Sequence, residues 1–157
     1  MKVLILAVSV ATLFSATLEH SQAQNPGPQD TFANAKLSPE EIKEIVAAVE
    51  PTAYDTPDSW TDELRVKRAE LGSLPGLVVR GSSLLCGGTG NCQTWVLGRK
   101  NGKWLCLFGD QNSIVEGVQL GPEITNGIKD LTVSANSSAE RSTTQTYKFD
   151  GEKYRLK

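Results

Sequence analysis

Two cysteines six residues apart are the most chemically distinctive feature of the sequence. Cys86 and Cys92 bracket the glycine-rich segment 87–91, which can fold back and bring its two ends together. Because a disulfide requires a close approach of its two Cα atoms, a short flexible loop of this kind favours a Cys86–Cys92 bridge. Closing so small a loop contributes only about 2 kcal/mol in the chain-entropy model, so the bridge would be a local staple.

The same segment can be compared with a phosphate-binding loop. Its glycines are not followed by a Lys-Ser or Lys-Thr pair, and residues 93–96 continue as a strand rather than as a helix. A stapled turn is therefore the better interpretation. The tip of this turn carries Thr89 and Asn91, which we take as candidate binding residues.

The third cysteine, Cys106, and the single histidine, His20, are not expected to form a catalytic pair. Cys106 lies in the apolar run 104–108, where a thiol behaves as a small hydrophobic group. The single histidine, His20, lies in a segment that we expect to be removed. Without it the mature chain lacks Ser-His-Asp and Cys-His catalysis and catalytic histidine zinc sites. We expect no catalytic residues, no metal and no cofactor.

Carboxylate pairs are the catalytic route that remains, because a glycosidase needs only two acids about 5 to 9.5 Å apart. No spacing in the sequence singles out such a pair, and surface positions are expected for each candidate. The segment 110–116 resembles a calcium loop only faintly, because Val115 stands where that loop requires glycine. The candidate acids are Asp55, Asp58, Asp62, Glu63, Glu116 and Asp130.

Trp60 is the aromatic residue that best fits a binding surface. It lies beside Tyr54 and several acids in a stretch typical of a loop. Trp95 and Trp104 are instead expected in the core, because their positions in a predicted hairpin place them on an apolar face.

The chain that carries these residues begins with an export signal. Lys2 precedes an apolar run over residues 3–14, and Ser21 and Ala23 are the small residues that a signal peptidase requires before its cut. The run is about a dozen residues long, whereas about 20 are needed to span a bilayer. We predict a signal peptide over residues 1–23 and a secreted or periplasmic mature chain without membrane insertion.

The net charge of the mature chain disfavours some classes of binding partner. The formal net charge of −2 does not change on cleavage, because Lys2 and Glu19 are removed together. This mild acidity and the lack of a basic run argue against nucleic acid or an anionic membrane as a partner. An oxidising compartment suits the predicted disulfide.

One helix is predicted after a flexible leader over residues 24–37. Ser38, Pro39 and Glu41 are typical of a capped helix start, and apolar residues follow at the i, i+3, i+4, i+7 spacing. Pro51 ends the pattern, so we predict a helix over residues 38–50. Strands are predicted over 64–68, 76–80, 115–120 and 129–134, with loops over 121–127 and 136–142.

An Asn-Gly dipeptide predicts the clearest hairpin, with a two-residue loop at Asn101-Gly102. This register places Trp95 opposite Phe108 and puts both residues on one face. Val96, Leu105 and Leu107 share the other face, so both faces are apolar and the pair is expected at the centre of its sheet.

A second hairpin is predicted at Asp150-Gly151, where the same type of turn places Tyr147 opposite Tyr154. Strands separated by short turns are typical of antiparallel structure. The predicted fold class is α+β, mainly β: one domain over residues 38–157, formed by an antiparallel sheet of short strands and hairpins with one N-terminal helix.

Three segments resemble small exported bacterial proteins of uncharacterised function. They are residues 85–92 with Trp95, residues 126–131, and the run Tyr147-Lys148-Phe149-Asp150-Gly151. The resemblance covers about residues 54–154. It implies a bacterial periplasm or exterior, carries no activity and assigns no functional residue.

Export, small size, the missing histidine and the stapled tip together favour a non-catalytic binding module. Its partner would be a protein or a cell-wall component, and it could inhibit an enzyme. Two alternatives remain open: a structural envelope protein without a discrete site, and a hydrolase that uses two carboxylates on an envelope polysaccharide.

Overall fold

The computed structural model describes residues 35–53, 61, 64–110, 113–138 and 141–157. The predicted signal peptide, leader residues 24–34 and Trp60 lie outside these ranges. The described residues form one α-helix and nine β-strands. In chain order these are α1 (Pro39–Val49), β1 (Arg65–Glu70), β2 (Pro75–Arg80), β3 (Cys92–Lys100), β4 (Lys103–Phe108), β5 (Ile114–Val115), β6 (Gly117–Thr125), β7 (Ile128–Ser138), β8 (Arg141–Phe149) and β9 (Tyr154–Leu156).

The helix α1 begins and ends close to the predicted positions. Ser38 caps its N-terminus, because its Oγ accepts a hydrogen bond from the Glu41 N–H at 3.1 Å. The Glu41 carboxylate does not complete the capping box and instead accepts two bonds from Arg68 on β1, at 3.1 and 3.2 Å. Ile45 and Val49 are buried against the sheet. No helix in the described ranges is long and apolar enough to cross a membrane.

The strands form two antiparallel sheets, where the sequence had indicated one. In the first sheet the order is β1-β2-β3-β4, and β5 pairs with the start of β3. In the second sheet the order is β6-β7-β8-β9. The predicted fold class, α+β with mainly β structure, is confirmed.

The first sheet lies between the helix and the second sheet. One of its faces packs under α1 through residues that include Val79, Trp95, Leu97 and Trp104. Its other face packs on the second sheet. Each large side chain buried here contributes about 1.5–3 kcal/mol. This arrangement explains why the β3–β4 hairpin is apolar on both faces. The sheet–sheet core includes Val78, Val96, Leu107, Phe108, Leu131, Val133, Tyr147 and Phe149.

The β3–β4 hairpin has the predicted turn, but the pairing of its two strands differs from the prediction at the end far from the turn. Asn101 and Gly102 have positive φ angles of 52° and 78°, as a two-residue hairpin loop requires. The pairing then shifts between Val96 and Leu97, so that Phe108 lies opposite Val96 rather than opposite Trp95. This bulge turns Phe108 to the face that packs on the second sheet. The predicted Trp95–Phe108 pair is therefore wrong, and β4 is at the edge of its sheet rather than central.

The C-terminal hairpin has a longer loop than predicted. Phe149 pairs with Tyr154, so the loop comprises the four residues 150–153, and the predicted pairing of Tyr147 with Tyr154 is wrong. The Asp150 carboxylate stabilises this loop by accepting the N–H groups of Glu152 at 2.8 Å and Lys153 at 2.7 Å. A shift by two residues keeps both tyrosines in the core, because side chains alternate along a strand.

Two predicted loops are strands in the structure. Residues 121–125 belong to β6, which passes through an irregularity between Leu120 and Ile124 and ends at the turn Asn126-Gly127. Both turn residues have positive φ, 50° and 80°. Most of the predicted loop 136–142 likewise belongs to the ends of β7 and β8.

The two sheets are joined along one side. The strand β5 pairs with β3 in the first sheet, and the chain continues through Glu116 into β6 of the second. Near the hairpin turns, the Lys129 N–H donates to the Leu71 C=O at 2.7 Å, and the Ser73 N–H donates to the Gly127 C=O at 2.9 Å. The β1–β2 turn is therefore fastened to the β6–β7 turn.

Candidate functional site

The Cys86–Cys92 disulfide predicted from the sequence is present. Within the loop it closes, the Gly87 N–H donates to the Asn91 C=O at 2.8 Å, and the Gly90 N–H donates to the Gly87 C=O at 3.0 Å. The loop is thus a compact turn, and the side chain of Thr89 is exposed at its tip.

The second candidate binding residue of this loop, Asn91, is turned toward the protein. Its Nδ2 donates to the Asn136 C=O at 2.8 Å, and its Oδ1 accepts the Asn136 N–H at 2.9 Å. Asn136 also donates from its own Nδ2 to the Thr89 C=O at 3.2 Å. The Asn91 amide therefore pairs with β7 as a residue of a neighbouring strand would, and it fastens the loop to the second sheet.

Arg80, which sequence reasoning did not single out, fastens the same loop from the end of β2. Its Nη2 donates to the Gly90 C=O at 3.2 Å, and its Nη1 donates to the Glu116 C=O at 2.7 Å. The sequence did contain a signal for this role, because Arg80 is a charged residue at the end of the otherwise apolar strand β2. The cysteine loop is consequently held by both sheets.

Cys106 is partly buried beside Thr52. Its Sγ donates to the Phe108 C=O at 3.4 Å and lies 3.9 Å from the Thr52 Oγ1. Burial raises the pKa of the Cys106 thiol. A protonated thiol is a poor nucleophile, so the geometry agrees with an unreactive cysteine. The neighbouring cavity holds about 80 Å³ and carries a single acid, Asp110.

The acids considered for catalysis do not form a pair in the described ranges. Asp55, Asp58, Asp62 and Glu63 lie outside those ranges. Asp130 is buried and forms an ion pair with Lys148 at 2.8 Å. The hydrogen bonds from Lys148 and then Thr125 hold the pKa of the Asp130 carboxyl below its usual range. An ionised carboxylate cannot act as the general acid of a glycosidase.

The other carboxylate of that set, Glu116, accepts a bond from the Ser142 Oγ at 3.5 Å on the surface. Within the described residues, no group of three or more Cys, His, Asp or Glu side chains is placed to hold a metal ion.

A cavity of about 350 Å³ lies at the end of the molecule where four hairpin turns meet. The turns are those that join β1 to β2, β3 to β4, β6 to β7, and β8 to β9. Both sheets contribute to its apolar floor. We call it the hairpin cleft, and its floor consists of Leu74, Leu105, Leu107, Ile128 and Phe149.

The rim of the hairpin cleft carries a small number of polar groups. Lys100 and Glu152 supply one positive and one negative charge, and Ser73 and Asn126 add a hydroxyl and an amide. The Asn126 Nδ2 donates to the Phe149 C=O at 2.8 Å, which fixes the β6–β7 turn against β8. The rim is therefore held by bonds between turns.

Leu105 is the exposed part of the apolar floor. It is 44% exposed, whereas Leu107 is 4% exposed. Gly98 lies opposite Leu105 on β3, and a Cβ atom at Gly98 would lie 2.7 Å from the Leu107 Cδ1. The glycine thus gives Leu107 the space to pack, and Leu105 remains at the cleft opening. The sequence had placed Leu105 and Leu107 on one face without indicating a cleft.

No known protein family, curated protein or solved structure matches this chain.

Proposed function

We propose that this protein is an exported, non-catalytic binding module that takes an apolar group of a partner protein into the hairpin cleft. One observation carries the proposal: the cleft combines an apolar floor, a few polar rim groups and a volume of about 350 Å³. Ligand sites typically have volumes of about 300–1,000 Å³ and this same composition.

The floor of the cleft favours an apolar side chain over a sugar. Leu105 is 44% exposed at the opening, and an apolar group that covers it would remove hydrophobic surface from water. Such burial contributes about 25 cal/mol per Å² of apolar area. A sugar would instead have to leave many hydroxyl groups without partners over five apolar side chains.

Export is supported by the signal peptide that the sequence predicts over residues 1–23 and by the Cys86–Cys92 disulfide. Disulfides persist in oxidising compartments outside the cytoplasm. A secreted or periplasmic location is the one we propose.

The proposal can be tested by NMR titration of the purified protein with three defined probes: N-acetyl-leucinamide, N-acetyl-phenylalaninamide and N-acetylglucosamine. We expect the two amino-acid amides to shift the backbone resonances of Leu105, Leu107 and Gly151, because these residues line the cleft. We expect the sugar to leave those resonances in place.

Two matched variants make the test specific. Leu105→Asp places a charge at the cleft opening and should abolish the shifts. Ile124→Asp introduces the same charge at a residue that is 61% exposed and does not line the cleft, so it should leave the shifts unchanged. Shifts that survive Leu105→Asp, or no shift with either amide, would contradict the proposed site.

A further inference from the structure

The hairpin cleft opens beside a strand edge that has a free side. Its exposed residue Leu105 belongs to β4, which is an outer strand of the first sheet and pairs only with β3 among the described residues. A segment that placed a side chain in the cleft would therefore run close to the free side of β4. Addition of an extended peptide to a sheet edge, with a pocket for one of its side chains, is a recurring mode of peptide recognition.

The backbone groups that face the free side of β4 follow from the hairpin turn. Lys103 lies opposite Lys100, and in a two-residue turn the N–H of the former bonds to the C=O of the latter. In an antiparallel strand the N–H and C=O of one residue point to the same neighbour, and successive residues point to alternate sides. Trp104 and Cys106 therefore direct their backbone groups to the free side. The edge offers two N–H donors and two C=O acceptors.

Two exposed leucines flank this edge on the side that faces the second sheet. Leu105 lies at the cleft opening, and Leu156 on β9 is 56% exposed. Leu156 pairs with Tyr147 and so projects to the face on which Tyr147 packs in the sheet–sheet core. The strand β9 adjoins β4 here, because residues of both strands line the cavity beside Cys106. One more strand beside β4 would lie over β9 and cover both leucines.

The other sheet edges do not combine free backbone groups with apolar surface in this way. On β1 the Val66 C=O already accepts the Ala35 N–H at 2.8 Å. The edge of β6 contains Pro122 within an irregular stretch, and both features discourage pairing. Residues 141–145 of β8, beyond the end of β9, carry only polar side chains. On β4 a bulge at the far end leaves residues 103–106 as the free edge.

We propose that the partner protein supplies an extended segment that adds to β4 in antiparallel orientation and places an apolar side chain in the hairpin cleft. This inference rests on the proposed function, because it identifies the kind of segment that the cleft takes. The apolar residue lies opposite Leu105, since directly opposed residues project to the same face. The residues before and after it lie opposite Cys106 and Trp104 and form four backbone hydrogen bonds. These bonds and one buried side chain suit a short peptide ligand.

The charges at the cleft opening favour an acidic residue in this segment. Lys100 and Lys103 lie directly opposite each other, where like charges repel. Neither lysine forms an ion pair with another described residue. Glu152 on the same rim balances one of these charges but not both. In the antiparallel register, a carboxylate two residues after the apolar residue lies opposite Lys103 and relieves the repulsion.

Binding of the hexapeptide acetyl-Thr-Thr-Leu-Thr-Glu-Thr-amide to the purified protein tests the proposal. We expect it to bind at least about tenfold more tightly than N-acetyl-leucinamide in NMR titrations of the cleft resonances. The amide protons of Trp104 and Cys106 should exchange with solvent rapidly in the free protein and slowly in the complex. Those of Lys103 and Leu105 are bonded to β3 and should exchange slowly in both states.

Two N-methylated hexapeptides form a matched pair. The leucine N–H points away from β4 in the proposed register, so N-methylation of the leucine should leave binding nearly unchanged. The N–H of the following threonine points to the Trp104 C=O, so N-methylation there should weaken binding by about tenfold or more. Replacing the glutamate of the peptide by lysine should weaken binding to the original chain and strengthen binding to Lys103→Glu.

The outcomes separate this inference from the proposed function. Equal binding of the two N-methylated peptides, slow exchange of Trp104 and Cys106 in the free protein, or a hexapeptide that binds no more tightly than N-acetyl-leucinamide would overturn strand addition. The cleft would then remain a site for a single apolar group. If neither N-acetyl-leucinamide nor the hexapeptide shifts the cleft resonances, the proposed function itself fails. An unchanged charge preference in Lys103→Glu would overturn the acidic residue of the segment.

Discussion

The side-chain amide of Asn91 bonds to both backbone groups of Asn136, at 2.8 and 2.9 Å. Asn91 belongs to the disulfide-closed loop before β3, and Asn136 belongs to β7 of the other sheet. The loop that the sequence suggests as a binding tip is thus also a connection between the two sheets. The two sheets are thus fastened to each other at both ends of the molecule: by the disulfide-closed loop at one end, and by the β1–β2 and β6–β7 turns beside the hairpin cleft at the other.

Replacing Asn91 by alanine should destabilise the fold. The change removes both bonds and leaves the backbone N–H and C=O of Asn136 without these partners, which costs about 1–3 kcal/mol in free energy of unfolding. Denaturant unfolding monitored by tryptophan fluorescence would measure it. Thr89→Ala is the matched control, since that side chain is exposed, and it should change the free energy by less than about 0.5 kcal/mol. Equal stability of the two variants would contradict the framework role of Asn91.

Gly109 should not tolerate a side chain. A Cβ atom there would overlap the indole of Trp95 and lie 2.7 Å from the Cys106 Sγ. Gly109→Ala should therefore cost about 1–3 kcal/mol through overpacking, measured as a lower denaturation midpoint. At Gly88 a Cβ would meet nothing within 4 Å, so Gly88→Ala should leave the midpoint nearly unchanged. Two equal midpoints would show that the core around Trp95 can rearrange.

The same neighbourhood shows why part of the β3–β4 register could not be predicted. The dipeptide Asn101-Gly102 determines the pairing near the turn, because only certain residues adopt the required positive φ. The shift farther along puts Leu107 and Phe108 together into the sheet–sheet core. That outcome depends on a second sheet formed later in the chain, which no local pattern of residues 92–108 contains.

The Asn126-Gly127 turn was missed for a related reason. It has the same residue types and the same positive φ angles as Asn101-Gly102. The preceding Gly121-Pro122 falls within the irregular stretch of β6, so the alternation that would have identified a strand is interrupted. The hairpin cleft could not be predicted either, since it exists only where turns of two separate sheets meet.

The ion pair between the buried Asp130 and the partly exposed Lys148 should make stability depend on pH. The folded pKa of Asp130 lies below its ordinary value of 3.8, chiefly through its bond to Lys148. The stabilisation is thus present above about pH 3.8 and is lost as the pH falls through the folded pKa. Lys148→Met should lower stability most near neutral pH, and the difference from the original chain should shrink in acid.

Unfolding curves at pH 7, 5 and 3 would test this dependence. Lys67→Met on the exposed face of β1 is the control, and its effect should be small and independent of pH. A loss from Lys148→Met that is equally large at pH 3 and pH 7 would show that the lysine acts through packing of its stem rather than through its charge.

Thiol titration should find one free cysteine per chain. Cys86 and Cys92 are bridged, and burial raises the pKa of Cys106, so little reactive thiolate is present in the folded protein. Ellman's reagent should react slowly with the native protein, rapidly with one thiol in denaturant, and with three thiols after reduction. Cys106→Ser should remove the single fast thiol. Three thiols in unreduced protein would refute the disulfide.

Expression of the full sequence in a bacterial host should yield a periplasmic or secreted product that begins at Gln24. Ser21 and Ala23 occupy the positions where signal peptidase requires small side chains, so Ala23→Asp should block the cut at this site. Mass spectrometry of the exported fraction would measure both results. Cleavage also removes His20, the single histidine of the chain. A full-length cytoplasmic product with reduced cysteines would contradict export, and His20 would then remain in the functional chain.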